Sequence, residues 1–181
     1  MQEVVGKNYL CVYAMIEMIL KDIGEETWDQ IRLANKFGVT LPVDYDIKEV
    51  ENTIHCANEH ECGAHIDAEK LNSFFEMEGI PLRATYLEAN PFNCYDVAEE
   101  DDSHKYIVYL YSYGSLNDDQ SKINVGHASI KVGNIKNGKL SIFDPGPLNA
   151  GVKEVNLSRL YDAINDYSGG ILILERIPNN E

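Results

Sequence analysis

The order in which two hydrophobic patterns follow one another constrains the fold of this chain most. Over roughly the first 80 residues apolar side chains recur at helical spacing, whereas from Ile80 onward they fall into short β-branched and aromatic runs. Helices followed by strands, rather than alternating with them, are typical of an α+β domain. The sequence therefore predicts N-terminal helices packed on a C-terminal, mostly antiparallel sheet, in a single domain over residues 1–181.

Helix and strand boundaries are set by glycines and turn residues. The first three predicted helices are each followed by a glycine, which favours a helix end, and a fourth precedes the last strand. The predicted helices cover residues 11–23, 25–37, 67–78 and 157–167. The predicted strands cover residues 80–87, 106–113, 127–132, 140–143 and 170–176. Asn137-Gly138 predicts a hairpin turn between the third and fourth of these strands.

Two stretches are predicted to be loop insertions, over residues 41–66 and 90–105. The second contains the acidic run Glu99 to Asp102, which is most simply a solvated loop tip. Tyrosines at alternate positions of the 106–113 run are typical of one sheet face packed with aromatic rings.

The net charge of the chain limits the classes of molecule that it is expected to bind. The chain has 15 Lys and Arg against 30 Asp and Glu, which gives a formal charge of −15. Binding of nucleic acid or of an anionic membrane surface needs a surplus of cations, so both are excluded as expected partners. No apolar stretch is long enough to span a bilayer, and residues 1–10 do not have the pattern of a signal peptide. A cytoplasmic location is therefore expected, with the four cysteines reduced.

Three residues carry the chemistry that the pattern indicates. Cys11 lies at the predicted start of the first helix, His127 begins a strand, and Asp144 ends the next strand before Pro145-Gly146. A helix N-terminus favours a thiolate, a neighbouring imidazole accepts and returns the proton, and a carboxylate fixes the imidazole tautomer. Each residue also has an ordinary structural interpretation when taken alone: a buried helix cysteine, a strand-edge histidine and a turn aspartate.

Taken together, these motifs resemble the papain-like cysteine peptidase superfamily, and most closely its C39-like branch of small bacterial domains. The likeness is carried by residues 8–15 (NYLCVYAM), 126–133 (GHASIKVG) and 142–146 (IFDPG). His127 follows Cys11 by 116 residues and precedes Asp144 by 17, which fits the layout of that branch. The resemblance implies a papain-like fold, a Cys11–His127–Asp144 triad, and thiol-dependent hydrolysis of a peptide or amide bond.

The chain departs from the family pattern beside the cysteine. Members usually carry a glutamine about six residues earlier as the oxyanion donor, and here that position is Val5. The nearby amides are Gln2 and Asn8, and either is a candidate donor. Val12 replaces the usual glycine after the cysteine. Two alternatives therefore stay open: an acyltransferase on the same fold, and an inactive papain-like domain that binds a peptide or partner protein.

The expected substrate is a peptide or an acylated small molecule, and the acidic charge would suit a basic one. This chemistry needs no cofactor, and none is predicted. A metal is not favoured either, although residues 55–65 (HCANEHECGAH) are rich in potential zinc ligands. Cys56, His60, Cys62 and His65 could supply a tetrahedral set, but their spacing matches no standard zinc finger.

Overall fold

The computed structural model describes residues 10–38, 41–42, 55–56, 67–100, 103–146 and 150–178. The chain forms two compact units. The first comprises Met1–Ile66 and Pro145–Ala150, and the second comprises Asp67–Asp144 and Gly151–Glu181. Every helix in the described ranges is too short or too polar to cross a lipid bilayer.

The first unit is built around helix α1 (Cys11–Asp22). Its N-cap residue, Leu10, has no side chain that can hydrogen-bond the first turn, so burial rather than this residue stabilises the helix. It is buried nearly all round, which is typical of a helix inside a core. The predicted helix is confirmed. Helix α2 (Gln30–Lys36) follows, and strands β1 (Leu41–Pro42) and β2 (His55–Cys56) pair in parallel.

A buried carboxylate joins the two helices of this unit. Glu17 on α1 is 2% exposed. Its Oε2 accepts hydrogen bonds from the backbone N–H of Gln30 at 3.1 Å and from the Gln30 side-chain amide at 3.2 Å. Its Oε1 accepts from Lys21 Nζ at 2.6 Å. The charge is thus paired and hydrogen-bonded, which is the condition for burying it at low cost.

Helix α2 begins later than the sequence predicted. The helix was expected from residue 25, but Glu25 Oε1 accepts from the Thr27 N–H and holds this segment in a turn. Asp29 then caps the helix by accepting from the Arg32 N–H at 2.8 Å. The N-cap residue Asp29 therefore fixes where the helix starts. Trp28 fits the apolar spacing of the helix but lies before its first residue.

The second unit contains an antiparallel six-stranded sheet in the order β3-β8-β4-β5-β6-β7, where every pair of neighbours is antiparallel. Its strands are β3 (Leu82–Glu88), β4 (Lys105–Ser112), β5 (Gly126–Lys131), β6 (Lys139–Asp144), β7 (Gly151–Asn156) and β8 (Gly170–Arg176). Its helices are α3 (Ala68–Glu78), α4 (Pro91–Glu99), α5 (Tyr113–Asn117) and α6 (Leu157–Asp166), with a short 3-10 helix at Gln120–Lys122. The predicted α+β fold is confirmed.

Helices α4 and α6 bury apolar side chains together with β4 and β6. The cluster takes Leu160 and Ile164 from α6, Cys94 from α4, and Tyr109 and Leu140 from the sheet. Tyr109 and Tyr111 are both fully buried, so the prediction of an aromatic sheet face is confirmed for this pair. Burial of these aliphatic and aromatic side chains stabilises the unit.

The structure corrects the predicted loop over 90–105. Helix α4 occupies Pro91–Glu99, where Asn90 caps the first turn by accepting from the Asn93 N–H at 2.9 Å and Pro91 stands in that turn. An asparagine at the N-cap followed by a proline in the first turn favours the start of a helix. The acidic run therefore begins in the last turn of α4, with Glu99, and Asp101 and Asp102 lie outside the described residues.

Besides α4, the sequence did not predict helix α5, the short 3-10 helix at Gln120–Lys122 or the edge strand β7. The segment of β7 reads GVKEVN, and Lys, Glu and Asn are uncommon in strands. The predicted hairpin is confirmed, because Asn137 and Gly138 both have positive φ and Lys136 and Lys139 exchange backbone hydrogen bonds. Strands β1 and β2 lie within the predicted 41–66 insertion, most of which is outside the described residues.

Candidate active site

A buried imidazole–carboxylate pair lies in the second unit. His127 Nε2 and Asp144 Oδ1 are 2.7 Å apart, and the two residues are 3% and 2% exposed. Away from water such a bond is stronger than it would be at the surface, and it holds the ring in one orientation. Because Nε2 faces the carboxylate, the ring nitrogen that could exchange a proton with another group is Nδ1.

Sheet register brings these two residues to the same face. Lys131 on β5 pairs with Ile142 on β6, and residues opposite one another in a ladder point to the same side. His127 lies four positions before Lys131 and Asp144 two positions after Ile142, so the period of two keeps both on that side. The sequence prediction that the two residues meet at one end of neighbouring strands is consistent with this register.

The Asp144 carboxylate has a second partner. Lys153 on β7 donates from Nζ to Asp144 Oδ2 at 2.5 Å, while its own side chain remains 31% exposed. Lys153 pairs with Ile142 in the β6–β7 ladder, which puts its side chain on the face that carries Asp144. Sequence analysis missed this residue because β7 was not predicted. A lysine two residues after Gly151 carried no signal of its own.

Two tyrosines enclose the imidazole. Tyr111 on β4 lies opposite His127 in the ladder, and the two ring centroids are 5.6 Å apart at an interplanar angle of 83°. The ring of Tyr113 lies 5.3 Å away at 88°. The Tyr111 hydroxyl is fixed by a 2.8 Å hydrogen bond with Ser129 Oγ. These edge-to-face contacts keep the ring in place and its surroundings apolar.

Cys11 belongs to the first unit, where it is the first residue of α1. It is a free cysteine and is 6% exposed. The first turn of α1 carries no acidic side chain, so no carboxylate there opposes a negative charge on the sulfur. Its predicted role as nucleophile beside His127 stays a prediction.

The other predicted site residues lie outside the described residues. This holds for both candidate oxyanion donors, Gln2 and Asn8, and for three members of the zinc-ligand set, His60, Cys62 and His65. Only the backbone of Cys56 is described, in β2. Their predicted roles are therefore untested.

A separate apolar cavity of about 350 Å³ is lined from α4 and α6. Its lining includes Cys94, Tyr95, Leu157 and Tyr161, and none of the residues of the imidazole–carboxylate pair. Burial raises the pKa of the Cys94 thiol to about 11, so this cysteine is overwhelmingly protonated at neutral pH. Cys94 is a structural cysteine.

Comparison with known proteins relates this chain to one solved fold. A structure from Bacillus anthracis described as a "putative C39-like peptidase" superposes with a TM-score of 0.62 over 97% of this chain and 93% of the other. The two sequences are 14% identical, so the likeness shows the fold alone. No protein-family model matches the sequence, and no curated protein matches it. The chain thus has the papain-like α+β fold that the sequence predicted.

Proposed function

We propose that this protein is a thiol-dependent hydrolase of peptide or amide bonds in which Cys11, His127 and Asp144 form the catalytic triad. The buried bond between His127 Nε2 and Asp144 Oδ1 is the observation that carries the proposal. Such a pair makes Nδ1 the proton acceptor and steadies the imidazolium that forms when the ring accepts a proton. The fold shared with the Bacillus anthracis structure supports a peptidase-like interpretation.

The proposed reaction has two halves. Cys11 Sγ attacks the carbonyl carbon, its proton passes to His127 Nδ1, and the C–N bond of the tetrahedral intermediate breaks as His127 gives that proton to the leaving amine. Water then attacks the resulting thioester while His127 accepts one of its protons. The C–S bond breaks, the carboxylic acid leaves, and the thiol is restored with the proton from His127.

The partial positive charge at the N-terminus of α1 supports the role of Cys11 in this scheme. The N–H groups of the first turn lie beside the residue that would carry the thiolate, and the side chain of the N-cap residue Leu10 does not cap them. The scheme requires Cys11 Sγ to come within hydrogen-bond reach of His127 Nδ1, and it requires an oxyanion donor that Gln2 or Asn8 would supply.

Thiol labelling tests this proposal. At about pH 6.5 the thiol of a free cysteine, which serves as the model thiol, is about one per cent ionised. An activated Cys11 should therefore react with iodoacetamide roughly 10- to 100-fold faster than this model thiol. His127→Gln should return Cys11 to the rate of the model thiol. The measurement is peptide mass mapping of alkylated Cys11 over time.

Cys94 provides the internal control for this labelling. Its buried, protonated thiol should stay unmodified in the same samples, and modified Cys94 would indicate unfolding rather than activation. Labelling of Cys11 at or below the rate of the model thiol would contradict the proposed enzyme. It would favour the second candidate, an inactive papain-like domain that binds peptides, which the replacement of the usual glutamine by Val5 supports.

Two finer points belong to the same proposal. The thioester could pass its acyl group to an amine instead of water, since the triad does not choose the acceptor. The expected substrate is a peptide or an acylated small molecule, and the net charge of −15 favours a basic one.

A further inference from the structure

We propose that Lys153 is a positioning residue that holds the second oxygen of the Asp144 carboxylate and, by offsetting its charge, keeps the His127 imidazole neutral near neutral pH. The electrostatic part of this proposal concerns three residues of the second unit. Its catalytic meaning rests on the proposed function.

The geometry divides the carboxylate between two partners. Oδ1 faces His127 Nε2 at 2.7 Å, and Oδ2 accepts from Lys153 Nζ at 2.5 Å. Two partners on separate oxygens restrict rotation of the carboxylate about its Cβ–Cγ bond, so Oδ1 stays directed at the ring. Lys153 thereby acts on His127 through Asp144 rather than by contact.

The charges of Asp144 and Lys153 indicate how the lysine affects the protonation of His127. A buried carboxylate with no compensating cation favours the imidazolium, and an imidazolium cannot accept a proton from a thiol. Lys153 supplies that compensating cation. Because 31% of its side chain remains exposed, the partial burial of its charge costs little free energy. The ring then remains a base, while the carboxylate still fixes its tautomer.

The other titratable groups beside the ring do not supply this charge. The rings of Tyr111 and Tyr113 lie nearly perpendicular to the ring of His127, and a tyrosine side chain cannot carry a positive charge. Lys122 Nζ lies 5.4 Å from the centre of the Tyr113 ring and pairs with Asp119. Asp144 is thus a charged group hydrogen-bonded to the ring, and Lys153 is a cation hydrogen-bonded to Asp144.

The test is an NMR titration of His127 in a Cys11→Ala background, which removes the thiol and makes the readout independent of the proposed function. Lys153→Met should raise the titration midpoint of His127 by roughly half a unit to two units, because the Coulomb term of a nearby cation is lost. Lys153→Arg should restore the original midpoint, since it keeps the charge. Comparison with the spectrum of His127→Gln assigns the signal.

Lys70→Met is the matched control. Lys70 pairs with Asp67 at 3.3 Å on the surface of α3, so this variant removes one positive charge without touching the pair. It should leave the midpoint of His127 within about 0.2 units, because exposed charges at a distance are screened. Lys153→Gln carries the same measurement if the methionine variant does not fold.

An unchanged or lowered midpoint in the folded Lys153 variant would overturn the inference, and so would an equal shift in Lys70→Met. These results leave the proposed function intact, because that function depends on Cys11 labelling. Conversely, an inert Cys11 together with the expected shift would reject the enzyme and retain the role of Lys153 in setting the protonation of His127.

Discussion

Replacing Cys11 by alanine should lower the hydrolysis of peptide amides by at least about a thousandfold, to the background rate, since the thiol is the proposed nucleophile. His127→Gln should cause a loss of the same order, because the glutamine cannot transfer a proton. The double variant should be no slower than either single variant, since residues that act as one unit have non-additive effects. Initial rates on pooled fluorogenic peptides that include Lys- and Arg-containing sequences measure these losses.

Cys94→Ala is the control for this comparison. Cys94 is buried and lines the apolar cavity of α4 and α6, which neither His127 nor Asp144 lines, so its replacement should leave the rate within about twofold. A Cys11→Ala protein that retains most of the wild-type rate would contradict the triad. Loss of activity in Cys94→Ala with the fold intact would show that another thiol takes part.

Asp144→Ala should reduce both stability and activity. The change removes the acceptor of two charge-assisted hydrogen bonds, to His127 and to Lys153, and leaves a buried ring without its carboxylate. The expected loss is about 1.5–3 kcal/mol of unfolding free energy. Activity should fall by about 10²- to 10⁴-fold, because the ring loses the partner that selects its tautomer. Urea unfolding and peptide hydrolysis on the same samples measure the two effects.

Asp162→Ala is the matched control for this prediction. Asp162 is exposed on α6, so its removal should change the unfolding free energy by less than about 0.5 kcal/mol and leave the rate unchanged. An Asp144→Ala variant as stable and as active as the wild type would show that the buried bond to His127 contributes to neither property.

The hydrophobic patterns predicted most of the regular structure because the period of burial is local information. The last strand has the predicted bounds, Gly170–Arg176, and the helix that ends at Gly79 closes with that glycine in the left-handed conformation. Strand β7 was missed because its segment GVKEVN places Lys153 and Glu154 side by side, so it lacks the alternation of apolar and polar residues that predicts a strand. Helix α4 was missed because an asparagine followed by a proline occurs both in turns and at the start of helices, so Asn90 and Pro91 alone do not distinguish the two.

Part of the candidate site could be predicted from the sequence in the same way. His127 and Asp144 follow recognisable strand patterns, and the bond between them depends on a register that the Asn137-Gly138 turn helps to set. Lys153 could not be predicted, because its role depends on which strand pairs with β6 at the sheet edge. A single sequence does not specify that pairing.

The most direct measurement of the central claim is cross-linking with 1,3-dibromoacetone, a short reagent that alkylates a thiol and then a neighbouring ring nitrogen. If Cys11 and His127 act together, peptide mapping should recover one cross-linked species that joins the peptide of Cys11 to the peptide of His127. His127→Gln should yield the Cys11 adduct alone. Single alkylation of Cys11 in the wild-type protein, without any link to His127, would contradict the account.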